Sequence, residues 1–122
     1  MKIAITSTGK TLDSQVDPRF GRASWFIIVD SDSMEFEAVA NDNVSAAGGA
    51  GISSAKVVID SGAEAVLTGN CGPNAHRTLT AGSVTVYTGA AGTVKEAIEK
   101  LKGGELTANE GPNVDSHFGA GI

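Results

Sequence analysis

Two arginines set close together in an acidic chain are the first residues here that could do chemistry. Asp17-Pro18-Arg19-Phe20-Gly21-Arg22 places two guanidinium groups around a turn in a protein of formal net charge -5. Pro18 fixes its own φ and biases Asp17 towards an extended conformation, while Gly21 permits a sharp bend. Guanidinium groups suit multidentate contact with a diffuse anion, so the stretch reads as an anion-gripping loop. The other reading is a structural corner, in which Asp17 pairs with Arg19 or Arg22 and Phe20 plugs the core.

The single cysteine, Cys71, stands just ahead of Gly72-Pro73, where a helix is expected to begin. The positive end of a helix dipole lowers a thiol's pKa and favours thiolate, which makes Cys71 a candidate soft metal ligand. A small buried packing residue is the alternative. His76 lies about one turn into the same helix. It either faces the loop edge as a ligand or sits on the surface.

A chain of 122 residues, 41% of them hydrophobic, is enough for one domain with a real core. The expected domain covers residues 1–106, and 107–122, which lack any apolar period, are expected to form a flexible tail. Few clustered lysines and a net negative charge argue against nucleic acid or membrane surfaces as partners. No apolar run is long enough to span a bilayer. Met1-Lys2-Ile3-Ala4-Ile5 runs directly into a strand pattern without a signal-peptide core, and one cysteine cannot form an internal disulfide. A cytoplasmic, monomeric protein is expected.

The elements that must position these residues follow from periodicity. Lys2–Thr6 alternates as a strand and ends in Ser7-Thr8-Gly9; Trp25–Asp30 is a near-continuous β-branched and aromatic run suited to burial on both faces. After a short turn, Phe36–Ala40 reads as its antiparallel partner, with Glu35 and Glu37 in solvent at an edge. Ile52, Ala55, Val58 and Ile59 fall at helical spacing up to Gly62. Ala65–Thr68 is a short buried strand. Pro73 suits the first position of a second helix, which carries Ala75 and Leu79 and ends at Gly82. Val84–Tyr87 is a fifth strand. Thr93 and Glu96 form a capping box for a helix bearing Val94, Ala97, Ile98 and Leu101, closed by Gly103-Gly104.

The order βββαβαβα specifies a mixed five-stranded α/β sheet with helices on both faces. Right-handed crossovers then bring four loops to one edge: Ser7 to Arg22, Asn41 to Gly51, Gly69 to Gly72, and Thr88 to Gly92. The last three each open onto a helix N-terminus, which favours negative charge, and ligands of open α/β sheets bind at such edges. The candidate binding residues are therefore Thr8, Lys10, Asp17, Arg19, Phe20 and Arg22 on the first loop and Gly49 and Gly51 ahead of the first helix. Asn70, Cys71, Gly72 and His76 join them at the second helix, with Cys71 the candidate metal ligand.

Val16-Asp17-Pro18-Arg19-Phe20-Gly21-Arg22-Ala23, Gly49-Ala50-Gly51-Ile52, Val66-Leu67-Thr68-Gly69 with Gly72-Pro73, and Gly92-Thr93-Val94-Lys95-Glu96-Ala97-Ile98 carry a resemblance that spans nearly the whole domain. The chain is similar to the dinitrogenase iron-molybdenum cofactor biosynthesis and carrier proteins. The arginine loop, together with Gly72-Pro73 and the late Gly111-Pro112-Asn113, resembles the orange protein subgroup in particular. The resemblance implies a ribonuclease-H-like fold and a noncovalently held molybdenum-copper sulfide cluster, other metal-sulfur clusters being the wider family's alternatives. It also implies a carrier, not an enzyme, with partner proteins in cluster delivery or regulation. Ser45-Ala46-Ala47-Gly48-Gly49 lacks the histidine often found there in relatives, which speaks against a histidine-ligated cofactor.

The residues agree with that implication. A thiometallate cluster is a soft polyanion whose sulfides already satisfy its metals, so it calls for cations and N–H donors more than for a ligand cage. A conventional iron-sulfur protein would supply several cysteines. A metal-dependent nuclease would need convergent carboxylates, and Lys2–Thr6 holds none. A phosphometabolite binder would use the same helix starts, although no phosphate-loop or dinucleotide glycine spacing follows a strand. A regulatory interaction module is the remaining rival, and colour would separate it from a cluster carrier. Finally, Val114-Asp115-Ser116-His117-Phe118-Gly119 repeats Val16–Gly21 at four of six positions. If the echo has meaning, His117 and Phe118 would form a lid over the site.

Overall fold

The computed structural model describes residues 1–41, 50–109 and 111. Gly49 and the Val114–Gly119 echo lie outside the described residues. The element order is β1 (Lys2–Ser7), β2 (Trp25–Asp30), β3 (Phe36–Ala40), α1 (Ala50–Asp60), β4 (Ala65–Leu67), α2 (Pro73–Ala81), β5 (Thr85–Tyr87) and α3 (Val94–Lys102). Five strands lie in the order β3-β2-β1-β4-β5. The β1–β2 and β2–β3 pairs are antiparallel, and the β1–β4 and β4–β5 pairs are parallel. This is the expected α/β fold with its mixed sheet, and β3 is the expected edge.

Alternation along the central strands divides the core in two, since successive side chains leave a strand on opposite faces. On one face Ala4, Phe26, Ile28, Val66 and Val86 pack with Ala55 and Val58 of α1 and Ala75 and Leu79 of α2. On the other, Ile3, Ile5, Ile27, Val29 and Leu67 meet Val94, Ala97 and Ile98 of α3. Helices therefore cover both faces, two on one and one on the other. Leu79 and Ile98 are fully buried, so truncating either to Ala would remove about 2–5 kcal/mol.

The helix ends obey local rules, with one exception. Thr93 accepts from the Glu96 N–H while the Glu96 carboxylate accepts from the Thr93 N–H, which completes the expected capping box. Gly82 does end α2, but its own φ is -87°, and the left-handed residue is Ser83 at φ 63°. Gly82 is needed for space instead: a Cβ there would sit 2.5 Å from Ile59 Cδ1. The glycine lets α1 and α2 close up, and Ser83 carries the conformational strain.

Beyond α3 the chain stays attached to the sheet. Ala108 pairs antiparallel with Tyr87, the Asn109 N–H donates to the Val86 carbonyl at 2.8 Å, and Asn109 Oδ1 accepts from both the N–H and the hydroxyl of Thr88. Residues 107–109, which sequence composition assigned to the tail, thus lie along the outer edge of β5.

Candidate anion-binding site

The loop after β1 is held at the sheet edge by backbone hydrogen bonds to three elements. The Val16 N–H donates to the Gly92 carbonyl at 2.9 Å and the Asp17 N–H to Thr6 at 2.9 Å; the Phe20 N–H donates to Asn70 at 3.2 Å. Thr6 Oγ1 donates to the Asp17 carbonyl at 2.7 Å, and Asn70 Nδ2 to the Pro18 carbonyl at 3.1 Å. Arg19 and Asn70 form a parallel bridge. Such close approach needs a glycine opposite: a Cβ on Gly69 would lie 2.6 Å from Pro18 Cα.

Within the loop, Asp17 and Phe20 point inward. Asp17 is 5% exposed, and its Oδ1 accepts from the Arg19 N–H at 2.9 Å, an Asx turn that fixes the bend. Phe20 is buried with its ring centroid 5.6 Å from that of Phe26. Its placement among the binding residues is therefore corrected: the ring anchors the loop to the core. Arg19 leaves 43% of its side chain exposed, with Nε 3.7 Å from Asp17 Oδ1. Arg22 is half-buried. Behind them, Ser54 Oγ donates to the Gly21 carbonyl at 3.4 Å, and Asn41 Nδ2 to the Ala23 carbonyl at 2.8 Å. The sequence reading missed Asn41 and Ser54, whose signals are a polar residue ending an apolar strand and a hydroxyl on an otherwise apolar helix face.

Of the three helix starts expected to serve the site, the structure shows two side by side and one closed. Gly51 of α1 lies against Ala75 of α2, a Cβ on Gly51 falling 3.3 Å from Ala75 Cβ and 3.7 Å from its nitrogen. The first turns of α1 and α2 are thus adjacent, on the face where Phe20 is anchored. Gly72 caps α2 without any side-chain hydrogen bond, and the N–H groups of the first turn have no acceptor within a helix. The start of α3 is closed. Its Val94 N–H donates to Ser14 and its Lys95 N–H to Leu12, both at 2.9 Å, and Thr93 takes the Glu96 N–H. Those donors are consumed in holding the arginine loop, on the opposite face.

Two further expectations change. Cys71 is 1% exposed within the apolar cluster of Ala4, Phe20 and Phe26. Burial pushes its thiol up to about 12, the reverse of the lowering expected from the helix start, because loss of water penalises the thiolate. These surroundings favour the packing alternative. His76 is buried as well, its Nε2 donating to the Asn109 carbonyl at 3.2 Å, so it helps to hold the chain after α3. Lys10 Nζ stands 4.9 Å from the centroid of the Trp25 ring, a cation–π contact. Thr8 is exposed, with its hydroxyl on the Gln15 carbonyl. Among the described residues no three His, Cys, Asp or Glu side chains gather as a metal cage.

An arginine loop laid against the start of α2 on a mixed α/β sheet is a candidate anion site in a small α/β domain. Residues 1–104 match the family described as dinitrogenase iron-molybdenum cofactor, and the chain belongs to that family. Among solved structures, it is similar to the apo form of the orange protein from Desulfovibrio gigas, with 40% identity, TM-score 0.90, and coverage of 93% of this chain and 96% of that one. A Thermotoga protein provisionally described as NifB matches at 38% identity and TM-score 0.76, over 90% of this chain and 98% of its own. A Methanocaldococcus jannaschii protein provisionally described as a dinitrogenase shares the fold, at 20% identity and TM-score 0.67, over 92% and 97%. No curated protein sequence matches. The resemblance read from the motifs is borne out.

Proposed function

We propose that this protein is a carrier that noncovalently holds an anionic metal-sulfur cluster, of the molybdenum-copper sulfide type, beside the starts of α1 and α2. The observation that carries the reading is the placement of Arg19, bridged to Asn70 two residues ahead of the Gly72 cap. Cationic side chains and backbone N–H groups there act on the same anion. The donor set fits such a cargo. Arg19, Arg22 and the N–H groups of the first turn of α2 would hold its outer sulfides, and a buried thiol with a raised pKa is a poor first ligand for a bare metal ion. A cluster that brings its own sulfides needs none. Transport or storage, not catalysis, is the role this donor set suits, in the cytoplasm and with partner proteins at delivery.

Apo protein should take up tetrathiomolybdate with copper to give a coloured complex. Replacing both Arg19 and Arg22 with Ala should weaken uptake and its salt sensitivity, because added ions screen an exposed cation–anion attraction. Unchanged uptake by the double variant, followed by visible absorbance and metal analysis, would remove the arginines from the site.

A further inference from the structure

The arginine loop contains one buried carboxylate that anion binding alone does not explain. A negative charge beside a cation meant for an anion weakens the attraction, yet Asp17 sits 5% exposed in direct contact with Arg19. Its backbone is pinned from both sides, the N–H on the Thr6 carbonyl at 2.9 Å and the carbonyl on Thr6 Oγ1 at 2.7 Å. Thr6 Oγ1 is in turn 2.9 Å from Thr68 Oγ1, which links the loop to β4. Asp17 is therefore a rigid point, and from it Oδ1 reaches forward to the Arg19 N–H. The side-chain contact is made through Nε, at 3.7 Å, which leaves the outer Nη edge of the guanidinium for another partner.

We propose that Asp17 is a positioning residue: it fixes the backbone and stem of Arg19 so that the outer guanidinium edge is preset for an anionic ligand. The inference rests on the carrier reading and deepens it. An arginine that is already ordered loses less side-chain freedom on binding, and this gain offsets the unfavourable charge. The carboxylate acts through its turn-forming oxygen, and an amide supplies the same oxygen without the charge.

Two substitutions separate turn from charge. Asp17→Asn keeps the acceptor for the Arg19 N–H, and Asp17→Ala removes it. With tetrathiomolybdate as the probe, Asp17→Asn should bind at least as tightly as the wild type. Asp17→Ala should bind about three- to tenfold more weakly than Asp17→Asn, the range expected when one long side chain must be ordered on binding. Equal affinities for the two variants would overturn the proposal. A ligand-free measurement guards against misfolding and against error in the carrier reading. By NMR relaxation the Arg19 Nε–H should be ordered in wild type and Asp17→Asn but mobile in Asp17→Ala. A mobile Nε–H in the wild type would overturn the positioning role. Absence of arginine-dependent uptake by the wild type would overturn the carrier reading instead, and the relaxation data would still decide Asp17.

Discussion

Cys71 shows two effects of opposite sign acting on one thiol. A helix start stabilises thiolate by a few tenths to about 1 kcal/mol where water still screens the charge, whereas burial in an apolar cluster can shift a group by several pKa units. Burial wins, and the thiol rises from 9.0 to about 12. Because the folded value lies above the unfolded one, stability is fully present below about pH 9 and is lost as pH rises towards 12. Two outcomes follow. Alkylation of Cys71 at pH 7.5 should be slow in native protein and fast in denaturant, as timed by mass spectrometry. Cys71→Ala should cost about 1 kcal/mol of stability, the range for a small buried truncation, and leave tetrathiomolybdate uptake intact. Complete loss of uptake in a folded Cys71→Ala protein would make the sulfur a ligand after all.

Among the elements, the contact between the arginine loop and the end of β4 carries the geometry of the site. Pro18 rests on Gly69 with no room for a methyl group, since a Cβ would meet the Pro18 backbone at 2.6 and 2.9 Å. Backbone cannot swing aside as a side chain can. Gly69→Ala should therefore cost about 1–3 kcal/mol, the usual penalty for overpacking, and should weaken anion uptake by moving Arg19. Thermal unfolding and a tetrathiomolybdate titration check the two parts. Wild-type uptake in the variant would show that the loop can shift without consequence. The start of α3 belongs to the same assembly in a different way. Carbonyls of Leu12 and Ser14 occupy its N–H groups, so its dipole supports the loop and not the ligand.

Across the whole molecule, the sheet has two outer strands that are treated differently. β3 carries exposed Glu37, with exposed Glu35 just ahead of it, charges that discourage pairing with other strands, while β5 is covered by residues 107–109. Asn109 holds that cover by its N–H, carbonyl and side-chain oxygen to Val86, His76 and Thr88. Asn109→Ala removes the acceptor for two Thr88 donors and should cost about 1–2 kcal/mol. Amide exchange should quicken at Thr88 and Asn109 and stay unchanged at Ile5 in the centre of the sheet. Unaltered exchange at Thr88 would mean that the chain after α3 adds nothing to the edge.

Strand and helix order, the crossover directions and the loop edge were legible in the sequence because each rests on local signals. Alternation marks the strands, the Thr93–Glu96 box marks α3, Pro73 marks α2, and short connections leave few topologies. The arginine loop was legible too, from residue types and spacing alone. What tertiary structure decided was which of those groups face water. The position of Cys71 before a helix predicts a lowered pKa, but only the packing of Phe20 and Phe26 around it sets the desolvation that reverses the shift. The sequence by itself offers all three helix starts to an anion, since each carries the positive end of a dipole. The difference lies in Leu12 and Ser14, some eighty residues from the α3 N–H groups they accept, a pairing no local pattern encodes. His76 likewise carries no mark of its partner: the Asn109 carbonyl that accepts its hydrogen bond is brought there by the path of the chain after α3.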